Sequence, residues 1–456
     1  MRLWWRWLRA GLTIPVLLAS AGLQARAVPV SFVLDNGLRV VVQEDRRAPV
    51  VVTQVWYRVG SSDEPPGLTG ISHVLEHMMF KGSPRVPAGE LSRLVAHFGG
   101  DDNAFTSDNY TVYYQNHVAD RLGLALELEA DRMSGLRLAP EEFASELQVV
   151  MEERRLRTDD NPQALALERF RAMAWPSSPA RSPTVGWMRD LQALTVEDAR
   201  AWYERWYAPN NAVLVVVGDV SPQQVRELAE HYFGALPARP LPRRAEIAEL
   251  PEPGERTLDL TLPGQVPTLF LGYNLPSLTS ADGAADAYAL RVLAGVLDEG
   301  ISARLERRLV RAGKATAIRS SYDLLARGDT LLSLMAVPAR GQSLEALRQA
   351  VLDEIRALRD APVAQEEIQR VLANVVSQEV FARDQVEDQA RVLGRLVCND
   401  MPLSWLTDYP AQLRAVTPAQ LQEVAQRYLV PARLSTLYLR TEAPEPPLRP
   451  MPGGRP

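Results

Sequence analysis

One internal repeat constrains the fold of this chain more than any other feature. The segment from Thr195 to Pro209 pairs in pattern with that from Thr417 to Pro431, and both the threonine and the proline are displaced by 222 residues (417 − 195 and 431 − 209). Each copy has a helical pattern, an X-Pro step and then an apolar strand pattern. An offset near half the chain length indicates a duplication into two similar domains.

The stretch between the two copies predicts where the domains divide. Residues 237–255 are rich in proline, arginine and glutamate, which is typical of a linker. We therefore expect a first domain at 28–236 and a second at 256–440. Residues 441–456 contain six prolines, and we expect a disordered tail there.

Residues 1–27 have the pattern of a secretory signal peptide. Three arginines precede the apolar run 10–23, and Ala25-Arg26-Ala27 forms an A-x-A cleavage site. We expect cleavage after Ala27 and a periplasmic or secreted protein without stable membrane insertion. An uncleaved anchor is the alternative.

Charge and cysteine content narrow the class of function. Removing residues 1–27 takes away four of the 50 basic residues and none of the 56 acidic ones, so the formal charge falls to about −10 (46 − 56). This charge argues against nucleic acid as a partner. Cys398 is the only cysteine, which excludes an intramolecular disulfide framework.

The first half contains the motif H-x-x-E-H, formed by His73, Glu76 and His77. On a helix the two histidines are one turn apart on one face, so both can reach one metal ion. Glu76 lies on the same side and can act as a base toward a water at the metal. Thr69 or Ser72 is expected to cap this helix.

A catalytic zinc site needs a third protein ligand. Glu146 and Glu153 are seven residues apart in a helical pattern and share a face, whereas Glu152 points about 100° away. Glutamate-rich helices commonly present these side chains to solvent. The spacing alone therefore leaves open whether these glutamates contribute a metal ligand or form a solvated face.

Together these motifs resemble the pitrilysin/insulinase family of metallopeptidases, which includes the mitochondrial processing peptidase. That family has H-x-x-E-H and then two glutamates seven apart, about 75 residues further on; here the separation is 76 (153 − 77). The resemblance implies an α+β fold of two similar domains, each a mostly antiparallel sheet packed with helices, that enclose a cleft. The similarity extends over nearly the whole chain after the signal and is carried by residues 60–67, 80–82, 99–106, 207–212 and 218–219.

The resemblance also implies a role for each motif residue. His73, His77 and Glu153 would bind one Zn²⁺ per chain, and Glu76 would be the general base. Glu146 would orient a ligand histidine, as carboxylates beside metal ligands commonly do.

Strand patterns surround the motif. Residues 38–42 and 50–57 are expected to pair with each other, and 102–115 is interpreted as one strand. In the family this last strand borders the cleft and pairs with the peptide substrate, a role that would fall on Asn103 and Ala104. An ordinary edge strand is the alternative.

The second half has no zinc motif. One-subunit relatives carry an Arg and a Tyr, seven apart, that hold the substrate; here those positions fall on Leu309 and Thr316, or on Val310 and Ala317 in the next register. We therefore expect a heterodimer with a related non-catalytic subunit that carries the pair. Three side chains of the second half could act locally instead: Arg308, Arg311 and Tyr322.

The sequence thus predicts a zinc-dependent endopeptidase that hydrolyses peptides or unfolded segments. Two alternatives remain: a subunit active only in a heteromeric complex, and a peptide-binding scaffold or chaperone without turnover.

Overall fold

The computed structural model of the protein describes residues 28–264, 266–382 and 384–442. The expected signal peptide and nearly all of the expected tail lie outside these residues. The described chain forms two β-sheets packed with helices, and a cleft of about 500 Å³ between the halves is lined by residues of both. The α+β fold with two similar, mostly antiparallel halves is confirmed.

The first sheet has six strands in the order β1-β2-β6-β3-β5-β4. All neighbours are antiparallel except β2 and β6. The strands are β1 (Val30–Val33), β2 (Arg39–Glu44), β3 (Val50–Tyr57), β4 (Asp101–Thr106), β5 (Thr111–Val118) and β6 (Ala212–Gly218).

The second sheet has five strands in the order β7-β11-β8-β10-β9, and only β7 and β11 are parallel. The strands are β7 (Arg256–Leu262), β8 (Thr268–Leu275), β9 (Ala315–Ser321), β10 (Thr330–Pro338) and β11 (Leu434–Thr441). Residues 237–255, between the two sheets, contain neither helix nor strand.

Helices cover both sheets. The first half contributes α1 (Ile71–Met78), α2 (Glu90–His97), α3 (Leu122–Gly135), α4 (Pro140–Arg154), α5 (Pro162–Ala174), α6 (Met188–Leu191), α7 (Val196–Trp206) and α8 (Pro222–Phe233). The second half contributes α9 (Ala284–Asp298), α10 (Leu344–Asp360), α11 (Gln365–Ala382), α12 (Val386–Cys398), α13 (Trp405–Arg414) and α14 (Pro418–Tyr428). None of the helices among the described residues combines the length and the apolarity needed to cross a membrane.

Two strand predictions were wrong. β2 and β3 do not pair with each other, because β6 lies between them and hydrogen-bonds to both. β6 is entirely buried, so its continuous apolar run gains more as a central strand than at an edge. The expected single strand at 102–115 is a hairpin of β4 and β5, with a turn at Ser107–Tyr110 in which Ser107 N donates to Tyr110 O (2.8 Å).

The sequence repeat corresponds to a structural repeat. Thr195 is the N-cap residue of α7 and Thr417 that of α14, and the side chain of each threonine accepts from the backbone N–H of the third helical residue in a capping box. Each helix is followed by a Pro-initiated 3₁₀ turn and then by a buried strand, β6 or β11. The displacement of 222 residues (418 − 196 and 434 − 212) holds for both helix and strand.

The two halves exchange helices. α5 of the first half packs on the second sheet, where the ring centroids of Phe170 and Phe270 lie 5.9 Å apart, and α12 of the second half packs on the first sheet. At Gly394 of α12, an added Cβ would lie 2.1 Å from Cε2 of Trp56 on β3, so only glycine permits this close approach. The exchange makes each half part of the hydrophobic core of the other.

Candidate metal centre

The H-x-x-E-H motif lies on α1, as its spacing predicts. The N-cap residue of the helix is Gly70, whose φ of 90° favours glycine. His73 and His77 project from the same face, and their ring centroids are 4.8 Å apart. Because both rings come from successive turns of a largely buried helix, their separation is set by the backbone.

Glu153, at the end of α4, meets both histidines. Its Oε2 lies 3.8 Å from His73 Nε2 and 3.5 Å from His77 Nε2. One ligand atom from each of the three residues lies within 4.8 Å of the others. Tetrahedral zinc with ligands at about 2.1 Å needs separations of about 3.4 Å, so small side-chain adjustments suffice to fit the ion.

Burial keeps the ring of His73 neutral. Removal from water lowers the pKa of His73 to about 3, and the nearby His77 and Arg157 act in the same direction. The ring is therefore neutral at neutral pH, which is the form that binds metals. Its buried Nδ1 has no hydrogen-bond partner among the described protein atoms.

Glu76 lies beside the cluster and is not part of it. The residue is 8% exposed, and Thr106 Oγ1 on β4 donates a 2.5 Å hydrogen bond to Oε2. Burial raises the pKa of Glu76 to about 7, although the Thr106 hydrogen bond acts in the opposite direction. A carboxyl group with such a pKa can accept and release a proton near neutral pH.

The two other glutamates of α4 differ in environment. Glu146 is buried; its Oε1 lies 3.8 Å from His77 Nδ1, beyond hydrogen-bond length, and its Oε2 pairs with Lys81. Its role in orienting a ligand stays a prediction. Glu152 is 57% exposed and pairs with Arg155, so it points away from the histidines, as the helical phase predicts.

The expected cap of α1 was wrong. Neither Thr69 nor Ser72 caps the helix through its side chain; Thr69 Oγ1 instead donates to Asp190 Oδ2 at 2.7 Å. Glu64 takes this role, because its carboxylate accepts from the backbone N–H groups of Gly70 (2.7 Å) and Ser72 (2.8 Å). Glu64 precedes the helix by more residues than a capping box spans, so local spacing could not identify it.

A buried arginine next to Glu153 was also missed. Arg154 donates to both oxygens of Glu168 on α5 and, at 2.8 Å, to the carbonyl of Gly186. An added Cβ on Gly186 would lie 2.5 Å from Thr69 O, just before α1. The loop around Gly186 therefore contacts the residues that lead into α1 and Arg154 of α4.

Asn103 and Ala104 lie on β4, an edge strand of the first sheet that pairs with β5 alone among the described residues. Asn103 is exposed, and its Oδ1 accepts from Ala104 N at 2.8 Å. β4 also carries Thr106, so this open edge adjoins Glu76. The substrate-binding role of both residues stays a prediction.

Comparison with known proteins identifies the family. The model of the insulinase family (peptidase family M16) matches residues 39–186, and that of the peptidase M16 inactive domain matches residues 193–375. Zinc protease PqqE of Helicobacter pylori is 32% identical over 418 residues, which is 90% of this chain and 92% of the relative. An uncharacterized zinc protease of Mycobacterium tuberculosis is 30% identical over 337 residues, 73% of this chain and 75% of the relative.

Solved structures agree with these relatives. The crystal structure of a protease from Helicobacter pylori superimposes with a TM-score of 0.85 at 31% identity and covers 90% of this chain and 99% of that one. The periplasmic protease PqqL of Escherichia coli matches in fold at 20% identity and a TM-score of 0.76, over 90% of this chain and 47% of that one. This chain belongs to the insulinase family of zinc proteases, peptidase family M16.

Proposed function

We propose that this protein is a zinc endopeptidase that hydrolyses peptides or unfolded protein segments. The observation that carries the proposal is the convergence of His73, His77 and Glu153 beside the buried carboxyl group of Glu76. His73, His77 and Glu153 would hold one Zn²⁺. When bound, zinc would polarise the peptide carbonyl and lower the pKa of water to about 7.

Side chains of the protein would then carry out the proton transfers. Glu76 is buried beside the ligands and would take a proton from the attacking water and deliver it to the leaving amine. Thr106 holds Glu76 Oε2 and leaves Oε1 for this transfer. A substrate strand paired along β4 through Asn103 and Ala104 would bring its scissile bond to the same place.

Turnover of an end-blocked, quenched peptide tests this function. We expect the purified protein to cleave it internally, to lose activity with a chelator and to regain it with zinc. Activity that survives complete metal removal would refute a metallopeptidase. Peptide binding without any turnover by the zinc-loaded protein would instead favour the chaperone alternative.

We also propose that full activity needs a second, related chain that carries the missing Arg/Tyr pair. Three second-half candidates for a local substitute have partners of their own: Arg308 contacts Glu354, Arg311 contacts Glu306, and the Tyr322 hydroxyl donates to the carbonyl of Pro276. The expected partner is an exported relative without H-x-x-E-H.

Turnover by the lone chain and by the mixture tests the need for a partner. We expect the mixture to be faster, because fixing the substrate geometry removes part of the barrier. Full turnover by the lone chain, unchanged by the partner and abolished by Arg311→Ala or Tyr322→Phe, would contradict this.

We further propose export through cleavage after Ala27. The pattern of residues 1–27 supports this, and so does the description of the Escherichia coli protein of the same fold as periplasmic. Amino-terminal sequencing of the protein from a cell envelope fraction tests it; a retained Met1 would favour the anchor alternative.

A further inference from the structure

The first turn of α1 is held by a carboxylate from outside the helix. The opening N–H groups of a helix have no intrahelical partner and need other acceptors. Ile71 N finds Leu68 O at 3.2 Å, whereas Gly70 N and Ser72 N donate to the two oxygens of Glu64. Glu64 is 8% exposed, so water is not a ready substitute.

The residue before Glu64 is held by the linker and by the second half of the protein. Asp63 has a fully buried side chain that pairs with Arg244 at 3.1 Å and Arg327 at 3.2 Å. Arg244 lies between the two sheets in sequence, and Arg327 lies in the second half. The residue next to Glu64 is therefore tied to the linker and to the second half, which restricts movement of the backbone that carries Glu64.

The position of this cap bears directly on the metal cluster. α1 has eight residues, and His73 follows the capped Ser72 immediately. A shift or fraying of the first turn would move His73 Nε2 away from Glu153 Oε2, which lies 3.8 Å from it. Because His77 lies one turn further along α1, fraying of the first turn would displace His73 more than His77.

We propose that Glu64 is a positioning residue whose two carboxyl oxygens, facing Gly70 N and Ser72 N, fix the first turn of α1 and thereby the direction of His73 relative to His77 and Glu153. The proposal rests on the proposed zinc function for its effect on activity. Its effect on the helix itself is independent of zinc.

Two substitutions distinguish the effect of the acceptor oxygens of Glu64 from the effect of its side-chain size. Glu64→Ala removes both acceptors, whereas Glu64→Gln keeps the shape but replaces one acceptor with an N–H₂ group that faces an N–H. We expect zinc affinity to fall by about 10- to 100-fold in Glu64→Ala, as for other groups that orient metal ligands, and by less in Glu64→Gln. We expect kcat to fall in the same order, with KM nearly unchanged.

Ser343→Ala is the matched control. Ser343 Oγ accepts from Ala346 N at 3.0 Å and caps α10 in the second half, away from the cluster. We expect this variant to lose some stability and to keep the wild-type zinc affinity and kcat. An equal loss of zinc affinity in the control would mean that Glu64 acts through general stability, and the proposal would be wrong.

Amide hydrogen exchange of the metal-free protein tests the helix directly. We expect Glu64→Gln to accelerate exchange at residues 74–78 and to leave α4 unchanged. If the wild type binds no zinc, the proposed function fails, but this measurement still decides the role of Glu64. If the amides of residues 74–78 exchange in Glu64→Gln at the same rates as in the wild type, the proposal is overturned. Unchanged zinc affinity in a folded Glu64→Ala would also overturn it.

Discussion

Replacing Glu76 by glutamine is expected to change activity and stability in opposite directions. The side chains have nearly the same shape, and the glutamine carbonyl can still accept from Thr106 Oγ1. The variant should therefore fold and bind zinc, because Glu76 is not one of the three clustered ligand groups. Loss of a general base typically lowers the rate by about 10² to 10⁴.

The stability change follows from the burial of the carboxyl group. In the metal-free protein the pKa of Glu76 rises from its ordinary value of 4.5 to about 7. The native state therefore favours the protonated form. This contribution is complete below the unfolded-state pKa and is lost as the pH rises through the folded-state pKa. The rise in the pKa from 4.5 to about 7 corresponds to about 3 kcal/mol of stability that the wild type loses as the pH rises. Glutamine does not titrate, so the variant does not lose it.

Urea unfolding of both metal-free proteins measures this difference. The free energy of unfolding of Glu76→Gln minus that of the wild type should be about 3 kcal/mol larger at pH 8 than at pH 4. Titrating groups that do not interact with Glu76 are common to both proteins and cancel. A difference that does not change with pH would refute the burial argument, and zinc lost from the folded variant would make Glu76 a ligand.

Two further predictions concern the third ligand and the helix exchange. Glu153→Ala should remove zinc from the folded protein and Glu152→Ala should not, since Glu152 is 57% exposed on another face of α4; the reverse pattern in metal analysis would contradict the assignment. Gly394→Ala should lower the free energy of unfolding by about 1–3 kcal/mol, because its Cβ would overlap Trp56. Gly123→Ala is the control, since its nearest neighbour is 3.6 Å from the added Cβ, and it should be neutral or slightly stabilising. Equal urea midpoints for these two glycine variants would argue against the close approach.

The sequence by itself determined the features that depend on local periodicity. His73 and His77 share a face because any helix places residues four apart on one side. The same rule separates Glu153 from Glu152 on α4. The 222-residue repeat predicted two similar halves, since a capping threonine, a helical pattern, an X-Pro step and an apolar run occur in the same order in both copies.

Tertiary structure decided everything that joins distant segments. Glu64 caps α1, and Thr106 holds Glu76, through contacts that no spacing rule encodes. β6 separates β2 from β3, and α5 and α12 exchange sheets. The physical reason is that buried polar groups and apolar faces must find partners, and burial selects those partners by position in space and not by distance along the chain.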